Sequence, residues 1–148
     1  MTMNDGYLEP TMESATALVT SGHEGPFLML NLLKFREVAD YSAAPALRPD
    51  AQISGSDAFD LYVAATLPHL ENSGGALLLN APAAKWFIGP AGDQWDRVML
   101  VRQTSVNGFL GWAEHEAYLD GIGHRMAALL DSRLLPIFDG GADLLGQV

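Results

Sequence analysis

Apolar residues run almost unbroken through FLMLNLLKF, residues 27–35, interrupted only by Asn31 and Lys34. The stretch is too short and too evenly apolar for an amphipathic helix, and it predicts a buried central strand opened by Gly25-Pro26. Upstream, Met12 to Val19 follows Pro10-Thr11 and ends near Ser21-Gly22, the pattern of a short N-terminal helix. Residues 36–54 carry Pro45 and Pro49 without any period and read as a long loop. Ser54 and Ser56 then offer helix caps. Behind them Phe59, Tyr62, Val63, Leu67 and Leu70 recur at helical spacing down to Asn72-Ser-Gly-Gly75. Pro68 is expected to kink that helix or end its regular part early.

Residues 76–88 read as a second strand, interrupted at Ala81-Pro82-Ala83 by a bulge or an edge. Gly89-Pro-Ala-Gly92-Asp93 makes a hairpin turn into QWDRVMLVRQ, residues 94–103. Thr104 or Ser105 caps a helix carrying Phe109, Leu110 and Trp112. After Tyr118, a break at Gly121-Ile-Gly123 precedes a further helical segment with Met126, Leu129 and Leu130. SRLLPIF, 132–138, closes as a short strand that Pro136 assigns to an edge, and the rest is a tail. The order is α+β: a ferredoxin-like βαββαβ with an extra N-terminal helix. It divides one domain, 1–148, into a 1–24 helical extension, a 25–138 core and a 139–148 tail.

A sheet covered by helices on one side should be polar on the other, yet the first and third strands are apolar on both. The all-leucine row of 28, 30 and 32 reads as the helix-packing surface. The mixed row of Phe27, Met29, Asn31, Leu33 and Phe35 reads as a face covered by a second copy of the sheet, which predicts a homodimer closed into an α/β barrel.

Charge and composition then narrow the partners. The formal net charge is -10, and the eight Lys and Arg residues are scattered, which excludes nucleic acid as a partner. The chain has no cysteine, which removes disulfides, thiolate metal sites and cysteine nucleophiles. No apolar run approaches the ~20 residues of a membrane helix, and the N-terminus lacks the pattern of a signal peptide; a soluble cytoplasmic protein is expected.

No nucleophile elbow or phosphate loop occurs, and Gly121-Ile-Gly123 lacks the remainder of a dinucleotide fingerprint. Glu114-His115-Glu116 reads as solvated helix surface, so neither a metal nor a cofactor is expected. The catalytic candidates are His124, an inward-facing general base, and Tyr118. The ligand-binding candidates are Asn31, a polar amide in mid-strand, with Trp95 and Arg97 as an apolar wall and a two-pronged anchor. Strand alternation places Trp95, Arg97, Met99 and Val101 on one face. Asp96 and Arg125 are expected to form a structural salt bridge.

MLNLLKF (29–35), the Tyr62 helix, SGGALLLN (73–80), QWDRVMLVR (94–102), EAYLDGIGHR (116–125) and DSRLLPI (131–137) occur in an order that resembles domain-of-unknown-function family 1330 of the dimeric α/β-barrel superfamily. The resemblance spans residues 25–138 and implies the fold and the homodimer. Gln103-Thr104-Ser105 stands where that family usually has an aromatic-Pro-Ser turn. Three functions stay open. One is a cofactor-independent enzyme of oxygenase or isomerase type acting on a small apolar or carbonyl compound. The others are a non-catalytic small-molecule binder and an interaction module with a packed barrel.

Overall fold

A computed structural model describes residues 6–138. Helix α1 spans Met12–Val19 and strand β1 Phe27–Phe35; α2 follows at Gly55–Asn72, then β2 at Ala76–Pro82 and β3 at Arg97–Gln103. Two helices, α3 at Val106–Gly111 and α4 at Glu116–Ala128, lead to β4 at Leu129–Ile137. The four strands form one antiparallel sheet in the order β2-β3-β1-β4, an α+β arrangement consistent with a ferredoxin-like fold. No helix among the described residues is long and apolar enough to cross a membrane. The expected tail, 139–148, lies outside the described residues.

Strand β1 is central, and its two rows of side chains meet different surroundings. Phe27, Met29, Asn31 and Leu33 are buried, whereas Leu28, Leu30 and Leu32 remain half-exposed. The helices therefore cover the mixed row, reversing the expected assignment of faces. Phe27 and Leu33 lose all their exposure beneath the helices, together with Phe59 and Leu129. Each such side chain contributes roughly 1.5–3 kcal/mol of burial. The leucine row is left on the open face, joined by Leu100 and Val98 of β3 and by Leu135 and Ile137 of β4. Arg102 and Arg133 lie in register at the ends of this apolar patch.

Helix α2 starts at Ser54, whose hydroxyl accepts from the Asp57 N–H at 3.0 Å. It runs on through Pro68 to Asn72 rather than ending early. Pro68 is exposed, as is Ala64, whose carbonyl loses its usual helical donor. Strand β2 stops at Pro82 instead of reaching residue 88, and the hairpin loop runs from 83 to 96.

Gly121 and Gly123 do not break the chain; α4 is continuous across them. A Cβ on Gly121 would meet Thr66, Ala65 and Tyr62 of α2 at 3.4–3.6 Å, and one on Gly123 would strike Leu47 and Ala44 at 2.6–2.7 Å. The two glycines let α4 lie against α2 on one side and against the 36–54 loop on the other. That close approach offsets their cost of about 1 kcal/mol each in a helix. Helix α4 passes directly into β4, which begins at Leu129, three residues before the expected strand. Ala127, Ala128 and Leu129 are buried at this joint, where the Ala128 and Ala127 carbonyls accept from Arg36 and Asp40 N–H groups.

Candidate functional site

Between the helical side of the sheet and helices α2 and α4 lies a cavity of about 250 Å³. Its floor is the covered row of the sheet: Met29 and Asn31 from β1, Met99, Val101 and Gln103 from β3. Helix α2 supplies one wall, because Phe59, Tyr62, Val63, Thr66 and Leu67 fall at the i, i+3, i+4, i+7, i+8 positions of one helical face. Tyr118 and Arg125, two turns apart on α4, supply the other. Trp112, Leu8 and Pro10 close the rim. A smaller recess of about 90 Å³ shares Thr66, Gln103 and Trp112 and extends toward Ser73 and Thr104.

The polar groups in this apolar space are few. Asn31 is buried, and its side-chain amide donates to the Met29 carbonyl at 3.1 Å. Burial pushes the Tyr62 hydroxyl up to about 12, with a hydrogen bond from Trp112 and the Arg125 charge pulling the other way. Burial also raises Tyr118. Both phenols are neutral donors near pH 7 and not bases. Arg125 is only 8% exposed, and its Nη1 donates to the Leu8 carbonyl at 3.0 Å.

The expected Asp96–Arg125 salt bridge does not form. The Asp96 carboxylate instead accepts from the Phe35 N–H at 2.7 Å, closing the end of β1. The ion pairs among the described residues are Arg97–Asp60 and Arg133–Asp131, and neither includes Arg125.

Trp95 and Arg97 do not share one face as expected, so they do not meet as wall and anchor of one pocket; Arg97 instead borders an open cleft of about 500 Å³ with Asp96, Ser54 and Ser56. Arg97 donates to Asp60 Oδ1 at 2.7 Å and to Ser56 Oγ at 3.1 Å, with its guanidinium over the Phe35 and Phe59 rings. Trp95 lies on the opposite side of the sheet, between Lys34 Nζ at 5.3 Å and the Arg133 guanidinium at 5.0 Å. Alternation fails there because the Asp96 N–H bonds the carbonyl of Leu33, the residue already in register with Arg97. Two residues answer one, as in a β-bulge, and the indole changes face.

His124 and Tyr118 are not brought together. The His124 ring points to the 36–54 loop, with Nδ1 2.7 Å from the Tyr41 hydroxyl, and burial lowers its basicity. Of the sequence candidates, Asn31, Tyr118 and Arg125 meet at the cavity. Tyr62, Thr66, Gln103 and Trp112 join them. Their signal in the sequence was only helical or strand periodicity, which marks a buried face without distinguishing a filled core from a cavity. Around Glu114-His115-Glu116 and elsewhere among the described residues, no group of three potential metal ligands occurs.

No family model matches the chain, and no curated protein matches it. Two solved structures are similar to it. One, of the methylated RPA0582 protein, has a TM-score of 0.79 and 28% identity over 93% of this chain and 99% of that one. The other is the RPA0582 protein of unknown function from Rhodopseudomonas palustris, a structural genomics target. It has a TM-score of 0.77 and 30% identity over 89% of this chain and 95% of that one.

Proposed function

We propose that this chain, which belongs to the same family as the RPA0582 protein of Rhodopseudomonas palustris, is a small-molecule-binding protein. One observation carries the reading: an apolar cavity with Asn31, Tyr62, Tyr118 and Arg125 placed in its wall. At about 250 Å³ it sits just below the ~300–1,000 Å³ of common ligand pockets, which suits a compact, largely apolar compound with one polar group. The described lining contains no carboxylate and no histidine, so binding is favoured over acid–base turnover. Cofactor-independent catalysis of oxygenase or isomerase type is the second reading. It is supported by Arg125 and the two phenols, which could polarise a bound carbonyl.

The open sheet face supports a homodimer as part of the same proposal. Leu28, Leu30, Leu32, Val98, Leu100 and Leu135 form a contiguous apolar surface of the kind that marks a protein interface. A barrel closed by two such faces also fits the resemblance to domain-of-unknown-function family 1330. The absence of cysteine accords with a cytoplasmic setting.

A neutral probe, 2-phenylethanol, tests the cavity. It should raise the melting temperature and shift the Trp112 indole signal in NMR spectra of the full chain. Failure of both, for this alcohol and equally for phenylacetamide and phenylacetate, would remove the binding reading. Mass spectrometry of the probe and its carbonyl analogue after incubation separates binder from enzyme, since turnover would restore the second reading.

A further inference from the structure

We infer that the cavity selects a small organic acid, an aromatic or branched body carrying one carboxylate, and that Arg125 receives that carboxylate. The inference rests on the cavity being a ligand site and names the class of ligand.

Arg125 carries a permanent charge and five donors, of which the Leu8 carbonyl engages one. The group is almost fully withdrawn from solvent, and no ion pair among the described residues reaches it. Three carboxylates of this strongly acidic chain are engaged away from it. Asp60 is spent on Arg97, Asp131 on Arg133, and Asp96 on a backbone N–H. Glu9, beside Leu8, bears on the Tyr118 hydroxyl from an exposed position but forms no ion pair with Arg125.

The polar neighbours of Arg125 reinforce its sign. Tyr62 and Tyr118 present neutral hydroxyls able to donate, so nothing in the described lining compensates the guanidinium. A buried cation is stable when an anion meets it with fork geometry, and a carboxylate matches that fork. The rest of the wall sets the other half of the ligand. Met29, Met99, Phe59 and Leu67 offer only apolar contact, which a hydrated inorganic anion would leave unused. A neutral carbonyl compound, conversely, would leave the charge unpaired.

Calorimetry on the full chain near neutral pH, with phenylacetate, phenylacetamide and 2-phenylethanol as probes, tests the inference. Phenylacetate should bind at least about tenfold more tightly than its amide, the advantage of a charge-assisted bond in a dry site. Arg125→Met should lower the acid to the level of the amide while moving the amide by no more than about twofold, and Arg125→Lys should keep part of the preference. Equal binding of acid and amide, or an unchanged preference in Arg125→Met, overturns the ligand class while leaving the cavity reading intact. If none of the three probes binds, the cavity reading itself fails and the inference with it. Should Arg125→Met not fold, the acid-to-amide ratio in the unaltered chain still decides.

Discussion

Arg97 and Asp60, one at the start of β3 and the other in the first turns of α2, are joined at 2.7 Å across the edge of the helical layer. The guanidinium also lies 4.9 Å from the centre of the Phe35 ring, so the side chain seals the core beside β1. Asp60 is largely exposed, and the ion pair alone is worth no more than about 1 kcal/mol. The aromatic contacts and the Ser56 bond add to it. Arg97→Gln is expected to lower unfolding free energy by about 1–2 kcal/mol in urea titration, and Asp60→Asn by less. Affinity for any cavity probe should stay unchanged in both.

The two sides of β1 predict opposite outcomes for neighbouring substitutions. Met29→Asp places an unpaired charge beneath the helices and should cost more than about 3 kcal/mol, read as loss of the folding transition in circular dichroism. Leu30→Asp falls on the open face and should leave a folded chain. If the dimer forms through that face, light scattering will show a dimeric mass for the unaltered chain and a monomeric one for Leu30→Asp. A folded Met29→Asp would contradict the observed assignment of faces.

This assignment marks where sequence reading stops. Alternation along FLMLNLLKF separates its residues into two rows, but both rows are apolar, and nothing local says which one the helices cover. The starts of α1 and α2 were legible because caps and turn residues are short-range signals: α1 begins just after Pro10-Thr11, and Ser54 caps α2 as its position suggests. The roles of the arginines were not. Whether a carboxylate meets Arg97 or Arg125 depends on how α2 and α4 cross the sheet, and one bulge at Asp96 moved Trp95 to the other side. Gly121 and Gly123 misled for a related reason. They read as a break when seen along the chain and as a packing surface when seen across it.

Arg125→Met should be at least as stable as the unaltered chain in the absence of ligand. The substitution removes a buried cation that has no ion-pair partner among the described residues and fills the space with a chain of similar length. Its cost is the bond to Leu8, about 1 kcal/mol, which the relieved desolvation offsets. Thermal unfolding of the two proteins in the same buffer is the check; a loss above about 3 kcal/mol would show that the guanidinium is structurally paired.

His124 gives the pH dependence. Its folded value lies below the ordinary 6.5 because burial disfavours the charged ring. The unfolded chain therefore takes up the proton first. The stability associated with the neutral ring is fully present above about pH 6.5 and is lost as pH falls through the lower folded value. Urea midpoints measured between about pH 8 and pH 5.5 should decline in the unaltered chain, and His124→Gln should flatten that slope over the same interval. An identical slope in both proteins would assign the dependence to other groups.

The joint between Ala128 and Leu129, where helix becomes strand with nothing between, has a practical meaning for anyone altering this protein's length. Most connections in such domains tolerate an added residue because the loop absorbs it. Here the added residue has no loop to enter. If β4 kept it, every side chain beyond the joint would exchange sides of the sheet; if α4 kept it, the last helical turn would rotate by about 100°. Tags, reporters and permuted termini therefore belong in the exposed 85–92 stretch of the hairpin, and a single inserted alanine at 128/129 should be among the least tolerated length changes in the chain.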